Sequence, residues 1–137
     1  MVSDADGELA ILTENDVVAC RKVIRDLTTQ MGFGVTDVTR IVTAVSELAR
    51  NVFVHGIKGY MRWKRYQQLG KIGIEIIFDD EGPGIANLDQ VMLPGFSTAG
   101  SMGMGLPGVT RLMDEFKIDS RVGIGTKVSI MKWARSK

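Results

Sequence analysis

Thr36-Asp-Val-Thr-Arg-Ile-Val-Thr-Ala-Val-Ser-Glu-Leu-Ala-Arg-Asn-Val-Phe53 is the stretch from which the architecture of this chain is read. Val38, Ile41, Val42, Val45, Leu48, Ala49, Val52 and Phe53 form one stripe at helical period, the pattern of a helix buried along one side. Thr36 or Asp37 opens it as a cap, and it ends near His55-Gly56. Toward the N-terminus, Glu14-Asn15-Asp16 offer capping and first-turn acids to an earlier helix. Its apolar face is Val17, Cys20, Val23, Ile24 and Leu27, and Gly32-Phe33-Gly34 stops it after about Met31. Residues 8–13 read as a strand. Toward the C-terminus, residues 57–67 carry strand-like Tyr60, Trp63 and Tyr66, Gly70 breaks the run, and Ile72-Gly-Ile-Glu-Ile-Ile-Phe78 reads as a buried strand. Residues 80–103 read mostly as loop, with one helical turn around Leu88–Met92. A third helix is predicted from about Met104 to Phe116, and two strands, 117–122 and 126–133, meet at Gly123-Ile-Gly125. Strands and helices do not alternate in this order. The expectation is a two-layer α+β sandwich, a mixed, mainly antiparallel sheet covered on one face by about three helices.

Length and composition bound the function. The 137 residues are one domain's worth, taken as a single unit over 1–137. Seventeen Lys and Arg against 16 Asp and Glu give a net charge of +1, which offers no electrostatic case for nucleic acid as a partner. One cysteine and one histidine exclude an internal disulfide and a Cys/His zinc cage. The polar, acidic opening Met-Val-Ser-Asp-Ala-Asp-Gly-Glu is unlike a signal peptide, and no apolar run approaches the ~20 residues that cross a bilayer. A cytoplasmic protein without a membrane partner is expected. Glycine stands out: nine of the sixteen lie between Gly82 and Gly125, interleaved with Pro, Ile, Met, Leu and Val as in a structured ligand loop, not with the polar filler of a linker.

Three clusters could carry chemistry. Gly103-Met-Gly105-Leu-Pro-Gly108 fits G-x-G-x-x-G, but it follows Phe96-Ser-Thr-Ala-Gly-Ser101 where the dinucleotide version follows an apolar strand. What survives is general: glycines opening a helix present bare N–H groups at the positive end of its dipole, suited to phosphate, or they merely shape a tight loop. Asp80-Glu-Gly82-Pro-Gly84-Ile85 places an acid at the end of a buried strand. There it either accepts the amine of a base lying against the backbone or caps a turn. Glu47 and Asn51, at i,i+4, lie roughly 40° apart on the helical wheel. Glu47 could take a proton and Asn51 could offer an amide oxygen to a hard cation such as Mg²⁺, or both could sit on a solvated face. Other options are thin. There is no Walker loop, Gly95-Phe-Ser97 misses the hydrolase elbow, and His55 reads as a helix C-terminal residue. The basic run Lys58, Arg62, Lys64, Arg65 and Lys71 reads as a solvated hairpin face or a surface for an acidic protein.

The order of these clusters is more specific than any one of them. Glu47-Leu-Ala-Arg-Asn51, Asp80-x-Gly82-x-Gly84, Gly103-x-Gly105 and Gly125-Thr126 resemble the N, G1, G2 and terminal Gly-Thr motifs of the GHKL ATPase/kinase superfamily. Thr43 to Asn51, Gly82-Pro-Gly-Ile85, Gly95-Phe-Ser-Thr98, Gly105-Leu-Pro-Gly-Val109 and Arg111 to Phe116 are most similar to its small stressosome serine kinases of the RsbT type, over about residues 8–134. The resemblance implies a Bergerat fold holding ATP between helices and sheet. Asp80 would meet the adenine amino group, with Gly82, Gly84 and Ile85 around it. Asn51 would ligate Mg²⁺, and Gly103, Gly105 and Gly108 would cradle phosphates. Ser97 and Thr98 would belong to a lid, Thr126 of the terminal motif would be among the nucleotide-binding residues, and Glu47 would be the general base. Arg50 and Lys58 are candidate cationic helpers only. The implied partners are STAS-domain proteins (RsbS/RsbR-like) as substrates and an output enzyme such as an RsbU-like phosphatase. An anti-sigma kinase of the RsbW/SpoIIAB type and a non-catalytic nucleotide-gated module are the alternatives.

Overall fold

A computed structural model describes residues 5–55, 58–85 and 105–135. The first strand, β1 (Gly7–Ile11), leads into α1 (Glu14–Met31). Thr13 caps this helix: its hydroxyl accepts the Asp16 N–H, and the Asp16 carboxylate accepts the Leu12 and Thr13 N–H groups, each at 2.9 Å. Those backbone donors, Leu12 first, hold the Asp16 carboxyl below its usual range. Gly32 ends the helix in the left-handed conformation, and Phe33, buried, donates back to the Thr28 carbonyl.

α2 (Val35–His55) begins one residue ahead of the expected caps. The Val38 N–H already bonds the Gly34 carbonyl, so Asp37 lies inside the first turn, where its charge complements the dipole. Then come β2 (Gly59–Gln68) and β3 (Lys71–Asp80), a short α3 (Gly105–Leu112), β4 (Glu115–Arg121) and β5 (Gly125–Arg135). The sheet order is β1-β2-β3-β5-β4. The sheet, expected to be mixed and mainly antiparallel, is antiparallel at every described pairing. The predicted third helix overran its end. Asp114 binds β5 through its N–H to the Met131 carbonyl and its carboxylate to the Trp133 N–H. The ladder thus captures the chain at Glu115, and Phe116 pairs with Ile130 as a strand residue. The turn expected at Leu88–Met92 lies outside the described residues.

Alternation sorts the sheet into two faces. Ile72, Ile74, Ile76 and Phe78 of β3, with Val128 and Ile130 of β5, point into the helix layer and are buried with Ile41, Val45 and Leu48 of α2. α2 runs through this layer, flanked by α1 and α3. Cys20 is fully buried in the same core; burial pushes its thiol up to about 12, so it stays protonated and fills space. The face without helices carries Glu75, which accepts from Tyr66 Oη and Ser129 Oγ at 3.2 Å each. On that face the Trp133 ring lies over Gly73, where any Cβ would strike it.

Candidate functional site

At the end of β3, Asp80 turns the chain into the Gly82–Ile85 loop, and its Oδ1 accepts the Gly82 N–H at 2.8 Å. Burial pushes the Asp80 carboxyl above its ordinary 3.8, against the pull of N–H groups from Gly82 and Thr126. The loop is stitched to the β4–β5 hairpin. Gly123 N–H donates to the Pro83 carbonyl, Ile85 N–H to Ser120 Oγ, and Ser120 shares a 2.7 Å hydrogen bond with Thr126. Two glycines make this closeness possible. Gly84 (φ 77) packs on the Arg121 carbonyl and Gly125 (φ 150) on the Asp80 carbonyl, at positions where a side chain would meet backbone and where φ disfavours one.

Beside this stitch lies a cavity of about 230 Å³ between α2, the ends of β3 and β5, and the start of α3. Asn51 and His55 of α2 line one side, Asp80 and Thr126 the strand ends, Gly84 and Ile85 the loop, and Gly105 the helix start. Phe78, Leu106, Ile118 and Val128 supply apolar walls. Asn51 and Asp80 are 29 positions apart in sequence and share this one cleft. An apolar slot with, among the described residues, a single half-buried carboxylate suits a flat heterocycle carrying N–H donors.

Six of the residues singled out from sequence therefore converge: Asn51, Asp80, Gly84, Ile85, Gly105 and Thr126. Gly82 is buried beneath the loop as a donor to Asp80, and Gly108 sits within α3; neither lines the cleft. Glu47 lies one turn before Asn51 and is 4% exposed. It is a buried carboxyl, not part of a solvated face, and it lies outside the cleft lining. Ser97, Thr98 and Gly103 lie outside the described residues. The apolar walls and His55 were missed as site residues. His55 follows Asn51 at i+4, the one signal that could have found it. Among the described residues no cluster of three or more His, Cys, Asp or Glu could hold a metal ion by itself.

Comparison with known proteins agrees with this geometry. A family model described as the histidine kinase-like ATPase domain matches residues 11–132. The serine/threonine-protein kinase RsbT of Bacillus subtilis (strain 168) is 48% identical over 125 residues, covering 91% of this chain and 94% of the relative. An anti-sigma F factor of Thermoanaerobacter sp. (strain X514) is 34% identical over 122 residues, covering 85% of this chain and 84% of its own. Among solved structures, the mycobacterial sensor histidine kinase MprB superposes with a TM-score of 0.56 at 16% identity, covering 96% of this chain and 99% of the other. A structure of RsbU and RsbW domains from Mycobacterium tuberculosis gives a TM-score of 0.57 at 19% identity over 96% of this chain, which spans 34% of that longer one. These two likenesses bear out the expected fold. The chain belongs to the histidine kinase-like ATPase domain family. Within that family it is an ATP-using protein serine/threonine kinase of the RsbT and anti-sigma kind.

Proposed function

We propose that the chain is a Mg-ATP-dependent kinase that phosphorylates serine or threonine on STAS-domain proteins of the RsbS/RsbR type. Released by that transfer, it activates an output enzyme such as an RsbU-like phosphatase by contact, in the cytoplasm. Among the described residues no helix is long and apolar enough to cross a membrane. The observation that carries the reading is the meeting of Asn51 and Asp80 across one apolar cleft.

Each residue then has a task its surroundings suit. Asp80 accepts the exocyclic amine of adenine, and Phe78, Leu106, Ile118 and Val128 exclude water around the ring. Gly105 begins α3 at the cleft, so the N–H groups at that helix end suit phosphate, the role also assigned to Gly103 and Gly108. The donor set fits magnesium in one respect: Asn51 offers a neutral oxygen at the cleft, and a hard cation that keeps water and phosphate as its other ligands needs no cluster of protein carboxylates. When bound, the ion would neutralise charge on the phosphates. Glu47, buried one turn along the same helix, is the proposed base for the substrate hydroxyl. Ser97 and Thr98 are assigned to the lid.

Phosphoryl transfer from γ-labelled ATP to a STAS partner tests the reading. Wild-type protein should label the partner, and Glu47→Ala should keep ATP binding while losing roughly 100-fold in transfer. Absence of label from wild-type protein that binds Mg-ATP would refute the kinase assignment to STAS proteins. Similarity to anti-sigma F factors supports a second reading, sequestration of a sigma factor. Co-purification with a sigma factor and with no STAS protein would favour it.

A further inference from the structure

β4 ends the sheet on one side: its strand neighbour is β5, and among the described residues nothing pairs with its outer edge. An open edge invites a second strand, and proteins commonly guard it with charge. Here the guard alternates in sign. Glu115, Lys117, Asp119 and Arg121 are exposed on the face without helices, while Phe116, Ile118 and Ser120 are half-buried toward the helix layer. Four charges of one sign would repel a second copy of the same edge. This pattern does the reverse.

Set two β4 strands antiparallel with Ile118 opposite Ile118. Glu115 then faces Arg121, Lys117 faces Asp119, and the two-fold axis repeats both pairs. All the facing charges are opposite, each such cross-strand pair contributing favourably. On the other face Ile118 meets Ile118, and Phe116 lies across from Ser120. The strand's own ion pair, Asp119 to Arg121, is long at 3.9 Å with side chains 70% and 72% exposed, so both charges are free to change partner. The opposite edge of the sheet lacks this property: pairing β1 with itself about Leu9 sets Glu8 against Ala10. From this self-complementarity we propose that two copies of this chain associate through their β4 edges, joining their sheets into one continuous antiparallel sheet. The inference is independent of the substrate and of the downstream partner. The contact is seven residues long, so the association is concentration-dependent.

Charge reversal at one pair tests it without touching the cleft. Lys117→Glu alone sets glutamate against Asp119 of the second copy, and Asp119→Lys alone sets lysine against Lys117. Mixed, the two variants restore opposite charge at both symmetry-related pairs. Sedimentation velocity of the wild-type chain should show the mass rising with concentration from 15.0 kDa toward twice that value. Each variant alone should dissociate about tenfold more readily, and their equimolar mixture should return to wild-type association. Wild-type protein that stays monomeric up to its solubility limit would overturn the proposal. So would single variants that associate as wild type does, which would assign the dimer to another face, or a mixture that stays as weak as its parts.

Discussion

Asp80 is held between two demands. Its carboxylate accepts N–H groups that shape the loop, yet the surrounding wall disfavours its charge and raises its pKa. The sign of the linkage follows. A raised carboxyl favours the folded state most below the ordinary value of 3.8, and that advantage is lost as pH rises through the folded value. At neutral pH the ionised group therefore costs stability. Asp80→Asn should leave thermal stability equal or higher at pH 7, with the difference shrinking as pH falls toward 3.8. The same variant should weaken ATP binding by about tenfold or more, because the amide is a poorer acceptor for the adenine amine. Calorimetric titration alongside thermal melts separates the two effects, and undiminished affinity would remove Asp80 from the adenine role.

At the scale of elements, the eight-residue α3 is too short to hold itself in place. Lys132 of β5 anchors its far end. The side chain is 10% exposed; its ammonium donates to the Leu112 carbonyl at 3.0 Å and lies 3.5 Å from Asp114 and 3.9 Å from Asp37. One buried cation thus ties the C-terminus of α3, the N-terminal turn of α2 and the sheet, and so fixes where Gly105 meets the cleft. Lys132→Met should destabilise the fold by about 1–3 kcal/mol in urea unfolding, since it removes the donor to the Leu112 carbonyl and the cation beside the Asp37 and Asp114 carboxylates. Lys132→Arg should recover part of that loss. A Lys132→Met variant as stable as wild type would show that packing alone holds α3.

For the molecule as a whole, the cleft forms only when helix layer and sheet are assembled, so a ligand there binds the folded chain and not the unfolded one. Mg-ATP at about 100 times its Kd should add about 2.7 kcal/mol of stability, which raises Tm by roughly 8 °C. Asn51→Ala should reduce the shift obtained with magnesium present. A melting temperature indifferent to saturating nucleotide would contradict the cleft as the ATP site.

The layers of this fold were legible because their signals are local and periodic. The α2 stripe, the Ile72–Phe78 run and the Gly123-Ile-Gly125 turn each state their element within a dozen residues. The paired motifs Asn51 and Asp80-x-Gly82-x-Gly84 likewise carried the site in order along the chain. What sequence spacing did not contain is contact between distant segments. That Gly84 and Gly125 serve to let the loop and the β4–β5 hairpin touch, that Glu47 is buried, that His55 turns into the cleft, and that Asp114 ends α3 early all depend on which backbone arrives from elsewhere. Periodicity tells a residue which way to face relative to its own neighbours in sequence. Only tertiary packing tells it what stands opposite, and burial, pKa and the shape of a cleft are set by what stands opposite.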